Sequence, residues 1–156
     1  MFQLPFPVHD VNASSGSKDL GDLPEWDLSD LYSSQDAPEL SRDLQWLDQE
    51  CASFAADYEG KLAHLDAEEM LNCVLRNERI NTIAGRIMSF AGLRYYQLTV
   101  DGDRTKFMSD MQEKITDFTT PLVFFTLELN RIDDAALQAL LNANDALARY
   151  QPVFDR

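Results

Sequence analysis

The sequence predicts an all-α protein, an antiparallel bundle of about four to five helices. Apolar side chains recur at spacings of three and four residues over most of the chain, which is the period of one helical face. Helix-start and helix-stop residues separate these runs, and no useful length alternates apolar and polar residues as a half-buried strand would. With 156 residues, the chain is long enough for one domain with a sizeable core.

Two regions of different composition divide the chain. Residues 1–22 mix Pro, Ser, Gly, Asn and Asp without a sustained period, which predicts a flexible N-terminal tail. Residues 23–156 form the predicted helical domain. It opens with an apolar anchor that we expect to pin the chain onto the bundle, made of Trp26, Leu28, Leu31 and Tyr32.

The first two long helices have clear boundaries. Asp36 is placed to cap the first helix, Pro38 lies in its first turn, and Gly60 ends it. Asp66 and Glu69 have the spacing of a capping box at the start of the second helix. The apolar residues are Leu40, Leu44, Leu47, Cys51, Phe54 and Tyr58 in the first helix, and Met70, Val74, Ile80, Ile83, Ile87, Phe90 and Leu98 in the second.

The third helix carries the most regular pattern of the chain, and Asp101 is placed to start it. Its apolar residues follow gaps of three and four without a miss, at Met108, Met111, Ile115, Phe118, Leu122, Phe125, Leu129 and Ile132. Pro121 interrupts this helix because proline removes a backbone donor and clashes with the preceding turn. We therefore expect one long helix that kinks or restarts near Pro121, with Thr120 as a cap.

Shorter helical stretches follow the third helix. Asp133 and Asp134 open one, and the polar run at 142–145 ends it. A last stretch then runs into the C-terminus, and nothing caps residues 155–156, so the chain is expected to stop inside an element. The apolar residues are Leu137, Leu140 and Leu141 in the former, and Leu147, Tyr150 and Phe154 in the latter.

The chain is strongly acidic, with a net charge of −14. Residues 1–70 hold 3 basic and 16 acidic side chains. Such a field repels phosphate groups, which disfavours nucleic acid and anionic membrane surfaces as partners. The N-terminus lacks the pattern of a signal peptide, and the longest apolar run, at 121–125, is far too short to span a bilayer. We therefore predict a cytoplasmic location.

The sequence offers few candidates for chemistry. His9 lies in the predicted tail and His64 between two helices, and neither has a metal-ligating residue four positions away on a helix. Glu68 and Glu69 are better explained as first-turn residues that complement the helix dipole. We therefore predict no catalytic, cofactor-binding or metal-binding residue in this chain.

Four further residues have both a structural and a functional interpretation. Tyr95 and Tyr96 are adjacent, so on a helix they face different ways, and packing is favoured over contact with a peptide. Cys51 and Cys73 are expected at similar height on neighbouring helices. Buried thiols are favoured over a disulfide, although a bridge between them is geometrically conceivable.

Three blocks of the sequence resemble one known family, and they occur in the same order. The blocks are L-P-E-W-D-L-S-D-L-Y at 23–32, Y-Y-Q-L-T-V-D at 95–101 and P-L-V-F-F-T-L-E-L-N at 121–130. The family is oligoendopeptidase F, a group of thimet-type zinc metallopeptidases, and the resemblance runs from about Leu23 to Arg156. The zinc motif of the family, H-E-x-x-H on a helix with a further Glu downstream, is absent from this sequence.

The resemblance implies an N-terminal lobe without its active site. Members of the family hydrolyse short peptides with a zinc-activated water, and their helical N-terminal lobes wall a deep channel. The implied partners are the remaining lobe and the catalytic domain of the parent enzyme, whose substrates are short peptides and whose cofactor is zinc. The alternative is a free-standing helical protein-interaction module without enzymatic activity.

The second half of the third helix is apolar nearly all round. Val123, Phe124 and Leu127 point away from the regular stripe, and a helix of this kind requires burial on every side. We therefore expect the isolated chain to be a homo-oligomer, through a two-fold dimer that buries these residues or through an exchange of helices.

Overall fold

A computed structural model describes residues 25–154, so the predicted tail at 1–22 lies outside the described residues. The described chain consists of helices and their connections, which confirms the all-α prediction. None of these helices is long and apolar enough to cross a bilayer. The helices are α1 (Pro38–Tyr58), α2 (Ala67–Gln97), α3 (Gly102–Thr119), α4 (Val123–Leu129), α5 (Asp134–Ala143), α6 (Asp145–Ala148) and α7 (Gln151–Phe154), with 3₁₀ turns at Leu62–His64 and Thr120–Leu122.

The arrangement of α1 and α2 is an antiparallel hairpin, as predicted. Arg76, in the first half of α2, pairs with Glu50 at 2.7 Å and with Asp57 at 2.8 Å. Arg86, further along α2, lies 3.7 Å from Asp43, nearer the start of α1. A later residue of α2 thus pairs with an earlier residue of α1, which is the order of two antiparallel helices.

The third helix returns along α2. Phe107 packs edge-on against Phe90 with ring centroids 6.0 Å apart. Arg104 donates to the backbone carbonyl of Arg94 and to the side-chain oxygen of Gln97, both at 3.3 Å. These contacts fix the α2–α3 turn, so α1, α2 and α3 form the central part of the bundle.

Most predicted helix boundaries are confirmed. Asp66 and Glu69 form a complete capping box, and Asp101 and Asp133 cap α3 and α5 through their carboxylates. Gly60 follows the end of α1 with φ +78°, a left-handed conformation that glycine adopts without the usual steric cost.

Three boundary predictions are wrong. Ala37, rather than Asp36, occupies the N-cap of α1 and makes no side-chain cap, because α1 starts with Pro38, which brings no N–H to its first turn. Leu98 lies just beyond the end of α2 and is exposed. Thr120 does not cap the helix that restarts after Pro121, since its hydroxyl donates to the backbone carbonyl of Thr116, one turn earlier, at 2.7 Å.

The predicted break at Pro121 is confirmed. The 3₁₀ turn at Thr120–Leu122 separates α3 from α4, so the one long helix of the prediction becomes two. Pro121 has no N–H to give to the carbonyl of Asp117. In addition, the last predicted stretch is divided into the one-turn helices α6 and α7, which is why the described chain has more helices than four to five.

Phe54 lies at the centre of the core and is 0% exposed. Its ring centroid lies 5.9 Å from that of Phe124 and 5.8 Å from that of Phe125, both on α4. The prediction that Phe124 points away from the core is therefore wrong, because the restart after Pro121 turns both rings toward Phe54. The exposed apolar residues of α4 are Val123 at 60% and Leu127 at 52%.

A carboxylate of α4 holds the loop between α1 and α2. Glu128 accepts a hydrogen bond from the backbone N–H of Gly60 at 2.6 Å and another from Leu62 at 3.3 Å. These N–H groups lie in the α1–α2 connection and not in the body of a helix, so the carboxylate supplies acceptors for them. We call this contact the Glu128 clasp.

The N-terminal anchor is held by Tyr32, which is 2% exposed and packs edge-on against Phe90 at 5.3 Å. Its hydroxyl donates to Asp43 at 2.5 Å, and the guanidinium of Arg86 lies over its ring at 4.5 Å. Burial, followed by the hydrogen bond to Asp43, raises the pKa of Tyr32. Trp26 is 59% exposed, so the predicted anchor depends on Tyr32 rather than on the tryptophan.

We predict that Pro121→Ala joins α3 and α4 through a regular α-helical turn. The alanine restores the missing donor and removes the clash of the proline ring with the preceding turn. A structure of the variant, or carbon chemical shifts of residues 117–123, provides the measurement. An unchanged 3₁₀ turn would show that packing against Phe54, rather than the proline, causes the break.

Candidate functional site

Two adjoining cavities lie on the surface formed by α2, α4 and α7. One measures about 390 Å³ and the other about 420 Å³, and both are lined by Asn77, Asn81 and Val153. The first also reaches Asn130, Thr126 and an apolar wall that includes Val123. We call the joined cavities the amide groove, defined by Asn77, Asn81, Val123, Thr126, Asn130 and Val153.

The floor of the amide groove is a pair of asparagines one turn apart on α2. The Nδ2 of Asn81 donates to the Oδ1 of Asn77 at 2.8 Å. This bond leaves the Nδ2 of Asn77 and the Oδ1 of Asn81 without a hydrogen bond to any described residue. The pair therefore presents an amide nitrogen of Asn77 and an amide oxygen of Asn81 that make no hydrogen bond to the described residues.

The first cavity has no charged residue in its lining. The second contains Glu78, whose carboxylate accepts a hydrogen bond from the hydroxyl of Tyr150 at 2.7 Å. That hydrogen bond raises the pKa of Tyr150. In a chain of net charge −14, the amide groove is thus a largely neutral region.

The main charge cluster lies elsewhere, between α1 and α2. Arg76 bonds to Glu50 and Asp57, and its guanidinium lies over the rings of Phe54 at 5.7 Å and Tyr58 at 5.4 Å. Burial lowers the pKa of Arg76, but hydrogen bonds to Glu50, Asp57 and Tyr58 raise it by more. The net effect is a pKa above the ordinary value for arginine. The charge of Arg76 is already paired with two carboxylates of α1. The cluster therefore connects α1 and α2, and its guanidinium is not free to bind a ligand.

The residues with potential for metal binding do not come together. His64 is exposed in the 3₁₀ turn, Glu69 is used in the capping box, and His9 lies outside the described residues. Among residues 25–154, no three His, Cys, Asp or Glu side chains are placed to share a metal ion. The described surface therefore has no ligand set for zinc.

The described parts of the three sequence blocks at 23–32, 95–101 and 121–130 lie where one element of the fold meets the next. The first, described from Glu25 onward, is the N-terminal anchor. The second ends α2 and caps α3, and its Gln97 donates to the backbone carbonyl of Trp26 in the first block at 2.8 Å. The third contains the Pro121 turn and the Glu128 clasp.

Tyr95 and Tyr96 belong to the second block. Their rings meet edge-on at 5.3 Å, with Tyr95 half-buried and Tyr96 exposed at 68%. The two side chains thus face different surroundings, as adjacent helical positions should. Both lie at the C-terminal end of α2, and neither lines the amide groove.

Cys51 and Cys73 are free thiols and are 0% exposed. Burial raises the pKa of Cys51 to about 11 and the pKa of Cys73 to about 12. A buried thiol with a raised pKa is a poor nucleophile, since the thiolate is the reactive form. The two cysteines are therefore core residues.

The amide groove was not identified from the sequence. Asn77 and Asn81 have no motif around them, and the only signal is two weak helix formers spaced four residues apart. Residues from α4 and α7 complete the groove, and their proximity follows only from the tertiary packing. No protein-family model, curated protein or solved structure matches this chain.

We predict that the native chain resists alkylation by iodoacetamide at about pH 8, where even an ordinary cysteine is only partly ionised. Unfolding in guanidinium chloride should expose Cys51 and Cys73 and make both reactive. Mass spectrometry of the two samples measures the difference. Equal labelling of native and unfolded chains would contradict their burial.

The same pKa values predict how stability changes at high pH. Both thiols titrate above their ordinary value of 9.0 in the folded chain, so they favour folding below pH 9 and stop doing so as the pH rises toward 11 and 12. Urea unfolding of a Cys51→Ala, Cys73→Ala chain provides the control, because it should lose less stability over that range.

Proposed function

We propose that the chain is the N-terminal, non-catalytic helical lobe of an oligoendopeptidase F-like zinc metallopeptidase. In this role it helps to wall the channel through which short peptides reach the catalytic domain. The observation that carries the proposal is the ordered set of three blocks at 23–32, 95–101 and 121–130.

The positions of the blocks in the fold support this proposal. Each block contains a residue that connects two elements. Tyr32 of the first bonds to Asp43 of α1, Asp101 of the second caps α3, and Glu128 of the third accepts from the α1–α2 loop. Residues that connect helices determine how the helices are placed relative to one another. Lobes of one family would share this placement. The likeness thus concerns architecture rather than catalytic residues.

Zinc chemistry has no place within the described residues. Metal-activated water requires at least three converging ligands, and no such group exists among residues 25–154. If the parent is a zinc peptidase, its metal and general base belong to the catalytic domain. This lobe would contribute the shape that admits short peptides and excludes folded proteins.

The proposal includes a cytoplasmic location. Cys51 and Cys73 are both free thiols, as is usual for proteins of a reducing compartment. A net charge of −14 also disfavours binding to anionic membrane surfaces.

The direct experiment is to read the gene downstream of the codon for Arg156. The peptidase proposal expects an open reading frame that reaches H-E-x-x-H on a predicted helix, followed by a further Glu. A stop codon immediately after Arg156 would contradict it and favour the second candidate function, a free-standing interaction module.

The interaction module has one specific observation in its favour. Val123 and Leu127 remain exposed on α4, whereas Phe124, Phe125 and Leu129 of the same helix are buried. Exposed apolar side chains of this kind are typical of interfaces. In the peptidase lobe the remaining domains would cover them, whereas in a module they would contact a separate protein.

We predict that the purified chain retains no stoichiometric zinc after dialysis and cleaves no short peptide when zinc is added. The reason is the absence of a ligand set among the described residues. Elemental analysis and chromatography of a peptide mixture provide the measurements. Stoichiometric zinc that survives dialysis would contradict the assignment of this lobe as non-catalytic.

We further propose that the isolated chain forms a dimer through the exposed face of α4. Leu127 is 52% exposed, so burying the rest of its side chain gains roughly half of the 1.5 to 3 kcal/mol that a fully exposed leucine would gain, and contact between two copies is favourable. Sedimentation velocity should show a dimer for the native chain and a monomer for Leu127→Asp. Val100→Asp is the matched control, because Val100 is 87% exposed beyond the end of α2 and should leave the dimer intact. A native monomer would overturn this proposal.

A further inference from the structure

We draw no further inference here: the strongest candidate, the exposed apolar side chains of Trp26, Tyr96, Leu98 and Val100 beside the turn between α2 and α3, carries no proposal because nothing in the described part of the chain shows what covers them.

Discussion

The packing of Phe54 against Phe124 and Phe125 is the contact on which the rest of this structure depends. It places α4 across the hairpin of α1 and α2, and each buried phenylalanine stabilises the fold by about 1.5 to 3 kcal/mol. The hydrogen bonds of the Glu128 clasp add about 1 kcal/mol each, so they orient the loop rather than dominate the energy. Pro121 permits this arrangement because it ends α3, so that α4 can continue in a different direction.

Some of the acidic side chains in the first half of the sequence are paired with arginines between α1 and α2. The acidic residues of α1 face a row of arginines on α2. Arg76 pairs with Glu50 and Asp57, while Arg86 lies against Asp43. These groups are partly exposed, so each pair contributes little to stability, typically below about 1 kcal/mol. Their value is in fixing the register of the hairpin, since each arginine has one set of partners along α1.

The sequence predicted the fold class and most boundaries because those depend on local chemistry. The capping box of Asp66 and the break at Pro121 follow from residues next to each other in the chain. The side of α4 that becomes buried could not be predicted, since it depends on how far the chain turns after Pro121. For that reason Phe124 was expected outside the core but lies inside it. The amide groove was missed for the same reason, because α2, α4 and α7 meet only in three dimensions.

The geometry of the described chain depends on α4. The same short helix packs on the core, holds the α1–α2 loop through Glu128 and forms one wall of the amide groove. Native-state hydrogen exchange at the amides of Gly60 and Leu62 tests this account most directly. Both amides lie in the α1–α2 connection but donate to Glu128, so the account predicts slow exchange that becomes fast in Glu128→Ala. Fast exchange of both amides in the native chain would contradict it, because α4 would then not hold the hairpin.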